Sequence, residues 1–573
     1  MSSTTDHARQ SIGPANGLSA IVSYASASHR RAALALIVLA LVAFLPGFFQ
    51  IPPVDRDEAR FAQATKQMIE TGNYVDIRFQ NDVRYKKPVG IYWLQAAAVN
   101  TAGALGVPEA RTRIWLYRIP SLIGAIGAVL LTYWCALAFV ARRGALLAAA
   151  MMAGSVLLGV EARLAKTDAM LLLTVVAAMG AMARVYLNAR RESGAAAGWQ
   201  LPAIFWTALA GGILLKGPLI LMVAGLAVLM LAILDRSARW IWSLRPLPGV
   251  LWLIVLVIPW FVAIVARSGD SFFAQSLGHD MLDKVISAQE AHGAPPGFYF
   301  LLFWVTFWPG SVLAGLAAPM VWKTRREPGA QFLLAWLVPS WIVFEVVMTK
   351  LPHYVLPLYP AIAILIASVL ERDGLSRGRW LVKGTVGWIV FPAVIAIGGV
   401  AGMIAIGGDL GILAWPFAAG AVIAGLFAWW LYEADGAERS LLRGILASVL
   451  VALGVYGVMF PSMPSLFPSK LVAEEIAATD CKQAQVASAG YLEPSLVFLL
   501  GTETRLTDGA GAAEFLRQKP CRFALIEARS ERSFVQRADA IALRYDRAGS
   551  IEGYNISTGR PVMISIFRSA AAP

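Results

Sequence analysis

The sequence predicts an all-α polytopic membrane protein with a small α/β domain at its C-terminal end. Three observations carry this. Of 573 residues, 58% are hydrophobic and only 15% charged, where a soluble domain has about 25% charged. Apolar runs close to the roughly 20 residues of a membrane span recur along most of the chain. Beyond residue 461 the apolar runs stop and shorter helix-like and strand-like segments alternate.

About thirteen spans of near-membrane length are expected, near 32–50, 114–140, 144–160, 169–187, 201–215, 217–234, 249–266, 297–320, 330–348, 354–370, 384–405, 412–432 and 444–460. The polar residues 1–31 form a cytoplasmic tail with no cleavable signal peptide, and 32–460 form the membrane domain. The formal charge of +13 comes largely from short basic loops. These hold Arg30/Arg31, Arg142/Arg143, Arg190/Arg191, Arg236/Arg239/Arg245, Lys323/Arg325/Arg326, Arg372/Arg377/Arg379/Lys383 and Arg439/Arg443, and by the positive-inside rule they face the cytoplasm. The same distribution argues against nucleic-acid binding. The opposite, outer face receives 51–113, Glu161–Asp168, Lys216-Gly217-Pro218, 267–296, Thr349–His353 and 461–573.

The first outer loop, 51–113, predicts two interfacial helices. Asp57 is a natural N-cap for Glu58–Glu70, whose Phe61, Ala64, Thr65, Met68 and Ile69 share one face. Pro88–Val99 begins the second, with Tyr92 and Trp93 as headgroup anchors. In the tail, Pro461, Pro464 and Pro468 make a stiff linker. Helices are expected at Leu471–Ala478, near Pro494–Leu500 and near Ala512–Arg517, with strands at Gln485–Ala489, Arg522–Glu527, Ile541–Asp546 and Val562–Phe567. Cys135 reads as packing, and Cys481 and Cys521 as either a disulfide or two buried thiols.

The unusual charges all lie on the outer face. Asp57 is either a cap worth about 1 kcal/mol or a carboxylate that takes a proton from an acceptor hydroxyl. The two roles are compatible, and the crowding of Asp55, Glu58 and Arg60 beside it favours function, with Asp55 and Glu58 supporting the loop. Arg84, Lys86 and Lys87 form a cationic knot suited to phosphate, or to snorkelling toward headgroups. Asp168 and Lys166 belong to one cavity or to an internal salt bridge. Lys216 reaches phosphate or simply snorkels. His279 and Lys284 lie five apart, where the histidine is a metal ligand, a proton shuttle or structural. Lys350, His353 and Tyr354 present polar tips in a short outer turn between prolines.

Taken as a series, these residues resemble the GT-C class of polyprenyl-phosphate-dependent glycosyltransferases, and within it the lipid A aminoarabinose transferases and the protein O-mannosyltransferases. The resemblance rests on Asp57-Glu58-Ala59-Arg60-Phe61-Ala62, Tyr85, Lys87-Pro88, Tyr92-Trp93, Arg163-Leu164-Ala165 with Asp168, Lys216-Gly217, the His279/Lys284 pair and Lys350-Leu351-Pro352 with Tyr354-Val355-Leu356-Pro357, over residues 30–370. It implies Asp57 as catalytic carboxylate and Lys87, Lys284 and Tyr354 as ligands of the donor phosphate with Arg60 beside them. Arg84, where those enzymes tend to have tyrosine, is a further phosphate-binding candidate from this chain's own cationic knot. Glu58, Lys86, Asp168, Lys216, His279 and Lys350 then line or support the cavity. The aminoarabinose enzymes place a metal-binding glutamate where this chain has Lys86, so neither a metal nor another cofactor is expected despite His279.

The expected activity is transfer of a sugar, with inversion, from a polyprenyl-phosphate donor to a lipid such as lipid A or another envelope glycan. The enzyme is expected to be a monomer in the bacterial inner membrane, with its site and the 461–573 domain in the periplasm. The alternatives are a lipid-linked sugar flippase, a protein O-mannosyltransferase-like enzyme, or a scaffold with a periplasmic sensor domain.

Overall fold

A computed structural model describes residues 17–190, 198–269, 272, 293–407, 411–481, 483–518 and 521–569. Among them, eight helices are long and apolar enough to cross a membrane, and nine if the pair Phe298–Thr306 and Ser311–Thr324, bent by 120°, counts as one. The thirteen expected spans are not all confirmed by this measure: apolar helices occupy all the expected stretches, but several are shorter than about 20 residues. His29–Phe44 has 16 residues. Arg142–Gly154 has 13 and breaks at the extended Ser155 before Val156–Glu161. Gln200–Lys216 and Leu219–Asp235 have 17 each. A helix at Gly17–Ser26 also precedes the first apolar helix, where the sequence suggests only a tail.

The helices share one continuous apolar core. Ion pairs staple the basic face, including Arg372–Glu327 at 2.7 Å and Arg143–Glu438 at 2.5 Å.

The outer face begins with the helix Asp57–Thr71. Its residue before the first turn is Arg56, at φ 67°, a region costly for a residue with a Cβ. Asp57 is thus the first helical residue and not the N-cap. The helix is buried on more than its apolar face, because the C-terminal domain sits on it. Lys66 donates to the Phe498 carbonyl at 2.9 Å, and Gln63 donates to Thr502 Oγ1 at 2.8 Å. A short hairpin of β1 (Arg78–Phe79) and β2 (Asp82–Val83) follows, then the helix Gly90–Ala104. Tyr92 is fully buried against Phe61, while Trp93 stays exposed, so only the second of the two expected anchors can meet headgroups.

The C-terminal domain carries a five-stranded mixed sheet in the order β4-β3-β5-β7-β6. The strands are β3 (Gln485–Ala489), β4 (Arg505–Thr507), β5 (Arg522–Glu527), β6 (Tyr545–Asn555) and β7 (Arg560–Ser569). β3 runs parallel to β4 and β5, and β7 runs antiparallel to β5 and β6. Cys481 and Cys521 are disulfide-bonded beside the start of this sheet, which resolves the two readings of that pair.

Candidate active site at the outer mouth of the bundle

A buried ion pair fixes the loop that carries Asp57. Arg118 reaches Glu58 through two bonds, Nε to Oε1 at 2.7 Å and a terminal nitrogen to Oε2 at 2.9 Å. The rest of its fork donates to the carbonyls of Phe48, Ile51 and Pro52 at 2.8–3.0 Å. Glu58 also accepts from the amides of Val54 and Ala165, at 2.8 and 2.9 Å. Charges taken out of water need this full set of partners to persist. The same carboxylate therefore ties the Asp57 helix to the Glu161–Asp168 turn, which holds the next acids.

Asp168 opens the helix Asp168–Arg190, and its carboxylate is bonded to the Lys216 ammonium. Lys166 lies 3.1 Å from Glu161 and 4.0 Å from Asp168. His353 stands between both acids, with Nδ1 3.8 Å from Glu161 and Nε2 3.7 Å from Asp168. The Lys216 ammonium sits 5.2 Å from the centre of the Tyr354 ring. Lys87 acts electrostatically on His353, and Asp57 on Lys166, so both lie within electrostatic range of this cluster. Burial opposes the charge on Lys166, but Glu161, Asp168 and Asp57 outweigh it and lift its pKa above the ordinary lysine value. Gly90 explains how Lys87 arrives here. A Cβ at that position would stand 2.7 Å from the Leu214 carbonyl oxygen, so only glycine lets this loop abut the helix that ends in Lys216.

The site thus combines an exposed carboxylate, Asp57, with lysines held by buried acids. Such a group can hold an oxyanion and accept a proton beside it. Glu161, Asp168 and His353 also bring three ligand atoms within 4.8 Å of one another, a donor set a divalent ion could use. Two ammoniums already occupy those carboxylates, so a cation there would meet like charge.

Residues 34–270 match the family described as dolichyl-phosphate-mannose-protein mannosyltransferase. The chain is 27% identical over 459 residues to the undecaprenyl phosphate-alpha-4-amino-4-deoxy-L-arabinose arabinosyl transferase of Edwardsiella ictaluri (strain 93-146), covering 76% of this chain and 78% of that one. It is 29% identical over 327 residues to the protein of the same name from Erwinia tasmaniensis, covering 54% of each. The crystal structure of ArnT from Cupriavidus metallidurans bound to undecaprenyl phosphate superposes with a TM-score of 0.71, covering 93% of this chain and 97% of that one at 17% identity. The chain shares the fold of that structure, the GT-C fold.

Within this GT-C fold the sequence-predicted site residues divide. Asp57, Lys87, Asp168, Lys216 and Tyr354 come together, and Glu58 anchors their framework. Arg60 acts on Asp55, and Lys86 is exposed on the loop before Lys87. Arg84 is buried with its guanidinium 5.0 Å over the Phe61 ring, as a packing element of the first loop. Lys350 is a correction. Its ammonium donates to the carbonyls of Glu345 and Val347, both at 2.7 Å, and so closes the C-terminal end of the helix Pro328–Val346. His279 and Lys284 lie outside the described residues. Sequence reading passed over His353, taken as a surface tip and found buried between two acids. It also passed over Arg118. The available signal was an arginine inside the apolar run Ile114–Ala136, where a charge needs a partner.

Proposed function

We propose that this protein is an inner-membrane glycosyltransferase that moves a sugar from a polyprenyl-phosphate donor to an envelope glycolipid such as lipid A, on the periplasmic side. The names of the relatives and the GT-C fold support the donor class. The single observation that carries the site assignment is the buried cluster of Lys166 and Lys216 with Glu161, Asp168 and His353, beside the loop that Glu58, next to Asp57, ties to Ala165.

In this reading the donor phosphate lies against Lys87, Lys216 and the Tyr354 hydroxyl, with Lys284 as a further ligand. An ammonium carries three donors, and the bond from Lys216 to Asp168 uses one of them. The acceptor oxygen attacks the anomeric carbon from the opposite face, the bond from that carbon to the phosphate oxygen breaks, and the polyprenyl phosphate leaves with the electron pair. Fixed cations stabilise that developing charge. Asp57 takes the acceptor's proton, or positions the acceptor where that group is itself a phosphate. Inversion follows from the single displacement. Asp168 and Glu161 hold Lys216 and Lys166 in place, the enzyme acts as a monomer, and it needs no metal.

Asp57→Asn in the purified protein tests this, with an undecaprenyl-phosphate sugar as donor and lipid A as acceptor. Donor binding is expected to persist while transfer falls at least about 100-fold, the lower end for loss of a general base. Unchanged turnover would remove the assignment.

A further inference from the structure

The C-terminal domain has a cavity of about 620 Å³ that the site above does not use. It opens at the carboxyl ends of β3 and β5. The chain leaves β3 to form β4 on one side and returns to place β5 on the other, so these two strands flank the reversal point of the sheet. Crevices at that position are where open α/β sheets bind ligands. One wall is Gly490–Glu493 after β3, a second is Glu527–Arg529 after β5, and the third is the β6–β7 hairpin from Glu552 to Met563. Gly490, at φ 84°, makes the floor possible, because a Cβ there would lie 2.7 Å from Glu527 Oε2.

The lining has a definite chemistry. It holds three carboxylates (Glu493, Glu527 and Glu552) against two guanidiniums (Arg529 and Arg560). Arg529 is already bonded to Glu527 at 2.7 Å. Tyr491, Tyr554, Asn555 and Thr558 complete it. A phosphate would meet excess negative charge here. A hydroxyl-rich sugar would find an acceptor in the exposed Glu552, a hydrogen-bond partner in Thr558 and the half-buried Tyr554 ring for its C–H face, while Asn555 is held by Glu493 at 2.7 Å and shapes the wall. The bundle mouth differs in offering ammonium groups to an oxyanion, Lys87, Lys166 and Lys216, set against Asp57, Glu161 and Asp168.

Position links the crevice to Asp57. Glu493, on its wall, acts electrostatically on Asp55, and Asp55 Oδ1 accepts from the Ser495 amide at 3.0 Å. Asp57 is two residues further along the same loop. We propose that this crevice binds a neutral, hydroxyl-rich saccharide portion of the acceptor, apart from any phosphate it carries, and so holds the acceptor beside the loop that bears Asp57. This rests on the glycosyltransferase reading above.

The test uses full-length protein in nanodiscs, with undecaprenyl-phosphate sugar as donor and a Gram-negative outer-membrane glycolipid fraction as acceptor. Thr558→Trp fills the crevice, and Glu552→Gln removes a carboxylate. Both side chains are exposed, so the fold is kept. Each is expected to raise the acceptor KM at least tenfold while donor KM and donor hydrolysis by water stay unchanged, and Thr558→Ser is expected to keep the wild-type KM. The delipidated saccharide should also slow hydrogen exchange at 490–493 and 552–563, where inorganic phosphate should not. An unchanged acceptor KM in both variants, or protection by phosphate alone, overturns the inference while leaving the glycosyltransferase reading intact. Wild-type protein that neither transfers nor hydrolyses the donor overturns that reading itself.

Discussion

Replacing Arg118 by methionine should remove the framework of the outer mouth. Arg118 is 1% exposed, and its side chain satisfies Glu58 twice and three backbone carbonyls once each. Methionine fills much of the volume but leaves Glu58, 2% exposed, without its counter-charge. Breaking one side of a buried ion pair costs about 3–5 kcal/mol, and each orphaned carbonyl adds about 1 kcal/mol or more. That is comparable with the whole stability of many domains. The assay is equilibrium unfolding in mixed micelles, with Arg372→Met as reference. Arg372 pairs with Glu327 at 2.7 Å but is about half exposed, so its loss should cost about 1 kcal/mol or less. Glu58→Gln, which keeps the shape but only one of the two amide contacts because its NH2 cannot accept, should fall between them, and the Glu58→Gln/Arg118→Met double variant should lose less than the sum of the singles. Arg118→Met no more harmful than Arg372→Met would refute the reasoning.

Lys216→Met should weaken undecaprenyl-phosphate binding about 10- to 100-fold, as expected for one lost bond to a charged group, by surface plasmon resonance on captured protein. Lys350→Met, which only uncaps a helix, should leave that affinity unchanged while lowering the melting temperature. Asp55 offers a pH test. Burial, and then the neighbouring charge of Glu493, push its carboxyl up to about 7 from the ordinary 3.8. The folded state therefore binds more protons than the unfolded one between those values. The docking of this loop is most stable below about 4 and weakens as the pH rises through about 7. Hydrogen exchange at 494–500, corrected for intrinsic rates, should quicken from pH 5 to pH 8, and Asp55→Asn should flatten the trend. Protection that grows with pH would contradict this.

The sequence revealed the outer-face charges because each is a polar residue in a chain that otherwise excludes them. Asp57, Lys87, Asp168, Lys216 and Tyr354 could be singled out that way. Their partners were harder to see. His353 is one residue before Tyr354, yet only the fold puts it between Glu161 and Asp168, almost 200 residues earlier in the chain. Lys350 reads as a polar tip that lines or supports the cavity until the end of its helix comes into view. The expected spans and the long helices differ in number for a related reason. Hydropathy does not register the break at Ser155 or the 120° bend before Ser311. In the tail, β3, β5 and the helix Pro494–Leu500 follow the sequence reading. The three-residue β4 and the helix Glu531–Ala540 were missed, and the strand expected at Ile541–Asp546 begins only at Tyr545. Those segments are short or polar, and tertiary contacts override their weak local preference.

The contact between Asp55 and Ser495 joins residues 440 apart in the chain. Gln63, Lys66 and Gln80 are likewise held by residues between 498 and 504. During synthesis the loop bearing Asp57 finds Arg118 and Ala165 early, but its contacts to the C-terminal domain wait for almost the entire polypeptide. A chain interrupted after its final span would keep the Arg118–Glu58 anchor but lack the second support of this loop.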